Sequence, residues 1–393
     1  TKTASLTLNR ATDSTRQPGS TFKIVSTYAP ALNEKGMTLA TTYEDEPITY
    51  ENGAPVNNAG GSFNGTTTLR TAIRNSVNTV AVQCFEDVTP ELGLKYLDNF
   101  GFTTLAHGTE ADTDANGNVY TDANLPTALG GLTYGVKNVE LCAAYAAIAN
   151  GGNYIKPVYY TKILDHNGNV LIENNSAGRS VIKETTAYLL TSALEDVVQN
   201  GTGTACQLDN MAVAGKTGTT DEYNDLWFVG YTPYYTCAVW SGYDGNQKIP
   251  EGDARNFHKT LWRKVMSRIH QGMEYKEFEQ PAGIEQISVC SETGLLPRAG
   301  CPVIEEYFDV ATIPTDYCDQ HFYDYDEEDY SEDQEMEIYE EDSLTPTPDP
   351  ENPDNPDNPD NPDNPDDNSG DGGDEPAPDG GDGSSNDDIE YYD

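Results

Sequence analysis

Three short groups in this chain carry residue types that can do acyl-transfer chemistry: Ser20-x-x-Lys23, Ser76-Val77-Asn78 and Lys216-Thr217-Gly218. A serine is a weak nucleophile until a neighbouring base takes its proton. A lysine whose pKa is depressed by burial or by another cation can be that base. Helix positions three apart share a face. The Ser20 hydroxyl and the Lys23 amine are therefore expected to meet over a helix N-terminus, where free N–H groups and the dipole favour negative charge. Taken singly, each group has a bland reading. Ser-x-x-Lys at a helix start is commonly a cap followed by a surface lysine, and Ser-Val-Asn reads as a capped connector. Gly215-Lys216-Thr217 looks like the end of a phosphate-binding loop. That loop needs a glycine five residues before Gly215. Asn210 stands there instead, and the run from Met211 reads as a strand.

The elements around these groups decide the matter. After the breaker pair Pro18-Gly19, the apolar residues Phe22, Val25, Ala29 and Leu32 recur at helical spacing, and Gly36 suits a left-handed stop. Residues 38–66 read as a long irregular loop. Leu69, Ala72 and Ile73 mark a short helix, and a second starts after Asn78 as N-cap. Ser76 and Asn78 thus lie on a connector, their side chains on one side of it. Helices are also predicted over Glu91–Phe100, Val139–Ala149 and Thr185–Gln199, and a hairpin over 158–173. Strands over 212–220, Leu226–Tyr231 and Tyr235–Tyr243 point to an antiparallel sheet. An amphipathic helix with Leu261, Val265, Met266 and Ile269 is expected to cover it. The layout is α+β.

Composition splits the chain. It carries a net charge of -44, and residues 319–393 hold 30 Asp and Glu with no Lys or Arg. That leaves 36 acidic against 22 basic residues, a net of -14, in residues 1–318. Such a segment is a poor nucleic-acid binder. The tail includes Asn-Pro-Asp repeated five times over 352–366, and it is expected to be disordered. A solvated spacer is the plain reading of its charge. No apolar run is long enough to span a membrane. The opening residues Thr1–Leu8 read as a strand already under way, so the natural N-terminus is expected to lie upstream. Among seven cysteines, Cys84, Cys142 and Cys237 sit in apolar strings and read as buried small hydrophobes. Cys206 lies in a Gly/Thr-rich loop. Cys290, Cys301 and Cys318 lie in polar surroundings, where one disulfide would suit an oxidising compartment. No Cys/His cluster has zinc spacing, so no metal site is expected.

All three groups in this order, each on its expected element, form the signature of penicillin-binding proteins and serine β-lactamases. The resemblance extends further. Asn9-Arg10-Ala11 leading to Arg16-Gln17-Pro18-Gly19-Ser20-Thr21-Phe22-Lys23 resembles the active-site serine region of class A penicillin-binding proteins, the bifunctional murein synthases. Leu129-Gly130-Gly131-Leu132-Thr133-Tyr134-Gly135-Val136, Ala149-Asn150-Gly151-Gly152 and Asn224-Asp225-Leu226-Trp227-Phe228-Val229-Gly230-Tyr231 also resemble that family. The resemblance implies a transpeptidase domain over 1–273, a short extension over 274–318 and the tail over 319–393. It implies the penicillin-binding-protein/serine β-lactamase-like fold, an antiparallel sheet flanked by helices plus an all-helical subdomain. The implied partners are peptidoglycan stem peptides and β-lactams, with no nucleic acid and no cofactor. The implied location is the extracytoplasmic face of the bacterial membrane, the family's N-terminal anchor and glycosyltransferase having no counterpart here. In that scheme Ser20 is the nucleophile, Lys23 its base and Ser76 a proton relay. Asn78 holds the substrate amide, and Lys216 supplies positive field. Thr217 and Thr219 bind a carboxylate, Gly218 lets the substrate backbone approach, and the N–H groups of Ser20 and Thr219 form an oxyanion hole. Trp227 and Asp225 are expected to be structural. A D,D-carboxypeptidase, a serine β-lactamase or a non-catalytic wall-binding scaffold are the competing expectations.

Overall fold

The computed structural model describes residues 7–174 and 176–321. Most of the expected opening strand and the acidic tail from residue 322 lie outside them. The helical run that carries Ser20 follows a two-residue strand, Thr15–Arg16, paired antiparallel with Val136–Lys137. It opens as a 3-10 turn, Gly19–Thr21, widens into a π turn, Ile24–Tyr28, and closes as an α-helix, Ala29–Glu34. Pro30 accounts for the widening, because it has no N–H and its ring excludes the carbonyl four residues back, that of Ser26. The predicted stripe of Phe22, Val25, Ala29 and Leu32 is buried, and Gly36 adopts the left-handed stop at φ +69°. Helices Leu69–Asn75, Asn78–Val88 and Pro90–Asn99 complete this helical half.

The other half is a three-stranded antiparallel sheet of Ala214–Thr219, Asp225–Tyr231 and Thr236–Gly242. Its middle strand is buried throughout. Side chains alternate across a strand, so Trp227, Val229 and Tyr231 enter the main core with helices Asn138–Ala149 and Glu184–Asn200. Phe228 points the other way, against Trp262 of helix Phe257–Ile269. That helix covers the sheet as expected, but of the expected stripe only Met266 faces inward. His258, Trp262 and Met266 are buried, whereas Leu261, Val265 and Ile269 are 36%, 38% and 43% exposed. The i, i+4 row centred on Trp262 wins because it buries the larger surface and its indole N–H donates to the Cys237 carbonyl at 2.9 Å.

Residues 38–66 are irregular only in part, chiefly over 57–64. Thr42–Asp45 pairs with Gly65–Thr68, and Ile48–Thr49 pairs with Pro55–Val56. The Asn52-Gly53 turn between the inner strands, with Gly53 at φ +79°, is a hairpin signal hidden by the polar composition. Residues 284–321 also hold more structure than the sequence pattern shows. Ile284–Cys290 and Val303–Asp309 form an antiparallel hairpin. A buried ion pair at 2.6 Å between Arg70 and Glu306 ties it to the helical half.

Candidate active site

Ser20 lies where the serine turn abuts the edge strand of the sheet. Gly19 has φ +55°, and a Cβ there would lie 2.8 Å from the Thr219 carbonyl oxygen. Only glycine lets the two backbones approach this closely. Two side chains pin the turn. The Trp227 indole N–H donates to the Gln17 carbonyl at 2.9 Å. The Gln17 amide exchanges hydrogen bonds with the Leu132 backbone at 2.6 and 2.9 Å, which ties the 129–132 loop to the serine. A cleft of about 430 Å³ opens over this junction, lined in part by Ser20, Asn78, Gly130, Thr219 and Asn224.

Lys23 is fully buried. Its Nζ donates to Asn78 Oδ1 at 2.6 Å, to the Ser76 carbonyl at 2.8 Å and to the Val77 carbonyl at 3.2 Å, with Ser76 Oγ at 3.4 Å. The connector is shaped for this. Ser76 caps the preceding helix in the left-handed region, φ 59° and ψ 40°, a conformation that costs a non-glycine residue roughly 1 kcal/mol or more. Burial holds the Lys23 amine well below its usual range, and the charge of Lys216 adds to the effect. Lys216 is itself fully buried, with one long bond of 3.4 Å to the Thr217 carbonyl. Desolvation pushes it down to about 7. Two buried amines with lowered pKa values close to a serine turn are a set of groups that acyl-transfer chemistry can use.

The structure thus gathers Ser20, Asn78 and Thr219 on one cleft and joins Lys23 to Ser76 and Asn78. It does not join the Ser20 hydroxyl to Lys23 by a hydrogen bond. The buried amine turns instead to the connector, which offers it several acceptors. Thr217 Oγ1 hydrogen-bonds Thr202 Oγ1 at 2.7 Å. The space at Gly218 is taken by the serine turn, not left for a substrate: a Cβ there would lie 2.5 Å from the Pro18 carbonyl oxygen. Asp225 and Trp227 behave as structural residues. Both are buried, and Asp225 Oδ1 accepts the Trp240 indole N–H at 2.8 Å.

Sequence reasoning missed Asn58 and Asp45. Asn78 is the first helical residue and not the N-cap; the cap comes from Asn58 Oδ1, which accepts the N–H groups of Asn78 and Thr79 at 2.8 and 3.3 Å. Asn58 is held in turn by Asp45, a carboxylate 1% exposed. Asp45 accepts from Asn58 Nδ2, Asn64 N, Asn64 Nδ2 and Thr79 Oγ1. A carboxylate amid asparagines next to strand-prone threonines was the available signal. The expectation of no metal-ligand cluster is also corrected. Cys290, Cys301, Cys318 and His321 bring one ligand atom each within 4.8 Å of one another, and all seven cysteines are free. The hairpin joins residues whose spacing in the chain follows no zinc pattern.

Comparisons with known proteins agree with this geometry. Residues 2–266 match the family described as penicillin binding protein transpeptidase domain, and residues 280–323 match the penicillin-binding protein 1A C-terminal domain. The chain is 34% identical over 333 residues to penicillin-binding protein 1A of Clostridium tetani, a stretch covering 80% of this chain and 41% of that protein. Its fold is similar to that of penicillin-binding protein 1A from Haemophilus influenzae, with a TM-score of 0.66 at 24% identity over 79% of this chain and 50% of that one. It is also similar to the D,D-transpeptidase domain of a peptidoglycan glycosyltransferase from Eggerthella lenta, with a TM-score of 0.55 at 25% identity over 69% of each chain. The chain spans less than half the length of the curated relative from C. tetani. With most of its residues inside the first of these matches, and with a serine turn, lysine connector and sheet edge meeting at one cleft, it belongs to the penicillin-binding protein transpeptidase family.

Proposed function

We propose that this chain is a serine D,D-transpeptidase that cross-links peptidoglycan stem peptides and is acylated by β-lactams on the outer face of the bacterial membrane. The observation that carries the reading is Lys23: a buried amine on the serine helix with a lowered pKa, held by Ser76 and Asn78 of the connector. Ser20 Oγ attacks the carbonyl carbon of the penultimate D-Ala, and its proton passes to Lys23 Nζ. The C–N bond to the terminal D-Ala breaks as the leaving amine takes a proton through Ser76. An amine of a second stem peptide then attacks the ester and releases Ser20 with the cross-link formed. Lys216, in its charged form, attracts the substrate carboxylate, with Thr217 and Thr219 beside it. Asn78 holds the substrate amide. The N–H groups of Ser20 and Thr219 stabilise the oxyanion, each worth roughly 3 kcal/mol in such sites.

Intact-mass spectrometry after fluorescent penicillin treatment tests this. The expected result is one adduct on Ser20 that persists for many minutes and is absent in Ser20→Ala. Rapid hydrolytic turnover of the penicillin would indicate a β-lactamase. No adduct on the folded chain would indicate a non-catalytic scaffold. Release of D-Ala from a stem peptide without transfer to an added amine would indicate a carboxypeptidase.

A further inference from the structure

The C-terminal hairpin has a small apolar core. Val289 and Phe308 pack with Ala40, flanked by Ile287, Ile304 and Ile313. A module of this size commonly relies on a disulfide or a structural metal. At its tip the chain makes two turns and a returning segment. The Gly294 N–H donates to the Cys290 carbonyl at 2.8 Å, and the Cys290 N–H to the Leu295 carbonyl at 2.8 Å. The Cys301 N–H donates to the Arg298 carbonyl at 3.1 Å. The segment 316–318 then runs parallel beside Leu296, with the Cys318 N–H donating to the Leu296 carbonyl at 2.8 Å. These turns aim three thiols at one imidazole. His321 Nδ1 lies 3.5 Å from Cys290 Sγ and 3.3 Å from Cys318 Sγ, and the four ligand atoms, with Cys301 Sγ, are mutually within 4.8 Å.

We propose that Cys290, Cys301, Cys318 and His321 form a closed structural zinc site that clamps the tip of this hairpin. The dimensions fit. A tetrahedron with Zn–S near 2.3 Å and Zn–N near 2.05 Å has S···N edges of about 3.6 Å and S···S edges of about 3.8 Å. The surroundings fit as well. The other imidazole nitrogen, Nε2, faces Glu292 Oε2 at 3.0 Å. A proton on Nε2 donated to that carboxylate leaves the Nδ1 lone pair for the metal, the outer-shell arrangement typical of zinc-bound histidine. The Arg298 N–H donates to Cys301 Sγ at 3.2 Å, which stabilises a thiolate. Three sulfurs and one nitrogen select zinc over harder cations. Four protein ligands leave no open position, so the site holds structure and does no chemistry. It involves none of the residues around Ser20, and the two proposals stand or fall separately.

The test uses the whole chain, purified under reducing conditions without chelator. About one zinc per chain is expected by plasma mass spectrometry, and cobalt in its place should give the thiolate charge-transfer band and intense d–d bands of a tetrahedral sulfur-rich site. Cys301→Ser and Cys318→Ser should each weaken or shift the charge-transfer band. Glu292→Gln, which keeps all four ligands, should weaken zinc binding about tenfold or more. Penicillin labelling of Ser20, followed in parallel, should continue in Glu292→Gln. If a cysteine variant fails to fold, the wild-type zinc count and cobalt spectrum decide. A folded chain without stoichiometric zinc would overturn the proposal. So would a disulfide among these cysteines, about 2 Da lighter by intact mass, or a cobalt spectrum unaltered by both cysteine variants.

Discussion

Asn58→Ala removes a residue that touches neither Ser20 nor Lys23, yet it should damage both stability and acylation. Asn58 Oδ1 supplies the cap of helix Asn78–Val88, and losing such a cap costs about 1 kcal/mol. Asn58 Nδ2 donates to the buried Asp45 carboxylate at 2.6 Å. A hydrogen bond to a charged group contributes about 1.5–3 kcal/mol. Asp45 keeps its three other donors, so its charge remains mostly satisfied. Together these losses come to about 3 kcal/mol, measurable by chemical denaturation. The freed N-terminus of that helix carries Asn78, whose Oδ1 is the nearest acceptor to Lys23 Nζ. A displacement of about 1 Å at such a position costs roughly 100-fold in rate, so the second-order acylation rate by penicillin should fall between tenfold and 100-fold. Thr66→Ala is the control. It removes an exposed hydrogen bond from Thr66 Oγ1 to Glu44 in the same hairpin, and it should change stability by less than about 1 kcal/mol and leave acylation unchanged. A loss of less than about 1 kcal/mol in Asn58→Ala with wild-type acylation would refute the capping argument.

Two further outcomes follow from the same geometry. With Lys23 as the proposed base, acylation would need its neutral form, so the rate should rise as pH climbs through the Lys23 pKa. Lys216→Met removes a like charge that helps lower that pKa, so the rising limb should move to higher pH; no movement, or a move to lower pH, would contradict the coupling. Gly218→Ala places a methyl 2.5 Å from the Pro18 carbonyl oxygen and 2.8 Å from Thr21 Cγ2. Overpacking of this kind costs about 1–3 kcal/mol, and by prising the serine turn off the strand it should also slow acylation; wild-type values for both on titration with penicillin would contradict the packing.

The helices and the central sheet were legible because their signals are local and repeated. Phe22, Val25, Ala29 and Leu32 mark one face by spacing alone, and strand Asp225–Tyr231 is a near-continuous apolar run. The candidate residues Ser20 and Lys23 stood out because the motif elements each sit on a recognisable break. What was not legible depended on partners distant in the chain. Helix Phe257–Ile269 was read from its aliphatic residues, and only Phe228 and Cys237 across the sheet decide that Trp262 faces inward. Thr42–Asp45 needed its partner Gly65–Thr68 to read as a strand. Asn58 is one asparagine among several until Asp45 and the Asn78 N–H group are placed beside it. His321 lies within the acid-rich stretch and reads as tail until the hairpin carries Cys290 and Cys301 to it.

The balance at Lys23 explains why the two lysines occur together. Its acceptors at 2.6, 2.8 and 3.2 Å favour the ammonium form, since a protonated amine can satisfy all three. Burial opposes them and is the larger cause of the lowered pKa, with Lys216 second. Lys216 is buried too, and desolvation pushes it down to about 7, so its charge is sensitive to what is bound beside it. A carboxylate arriving at Lys216 would favour its protonated form. That added charge would then favour the neutral form of Lys23. Under the proposed function, binding of an anionic donor peptide would in this way strengthen the base. Burial lowers the Lys23 pKa without a substrate, and the second lysine would make any further lowering depend on its own charge.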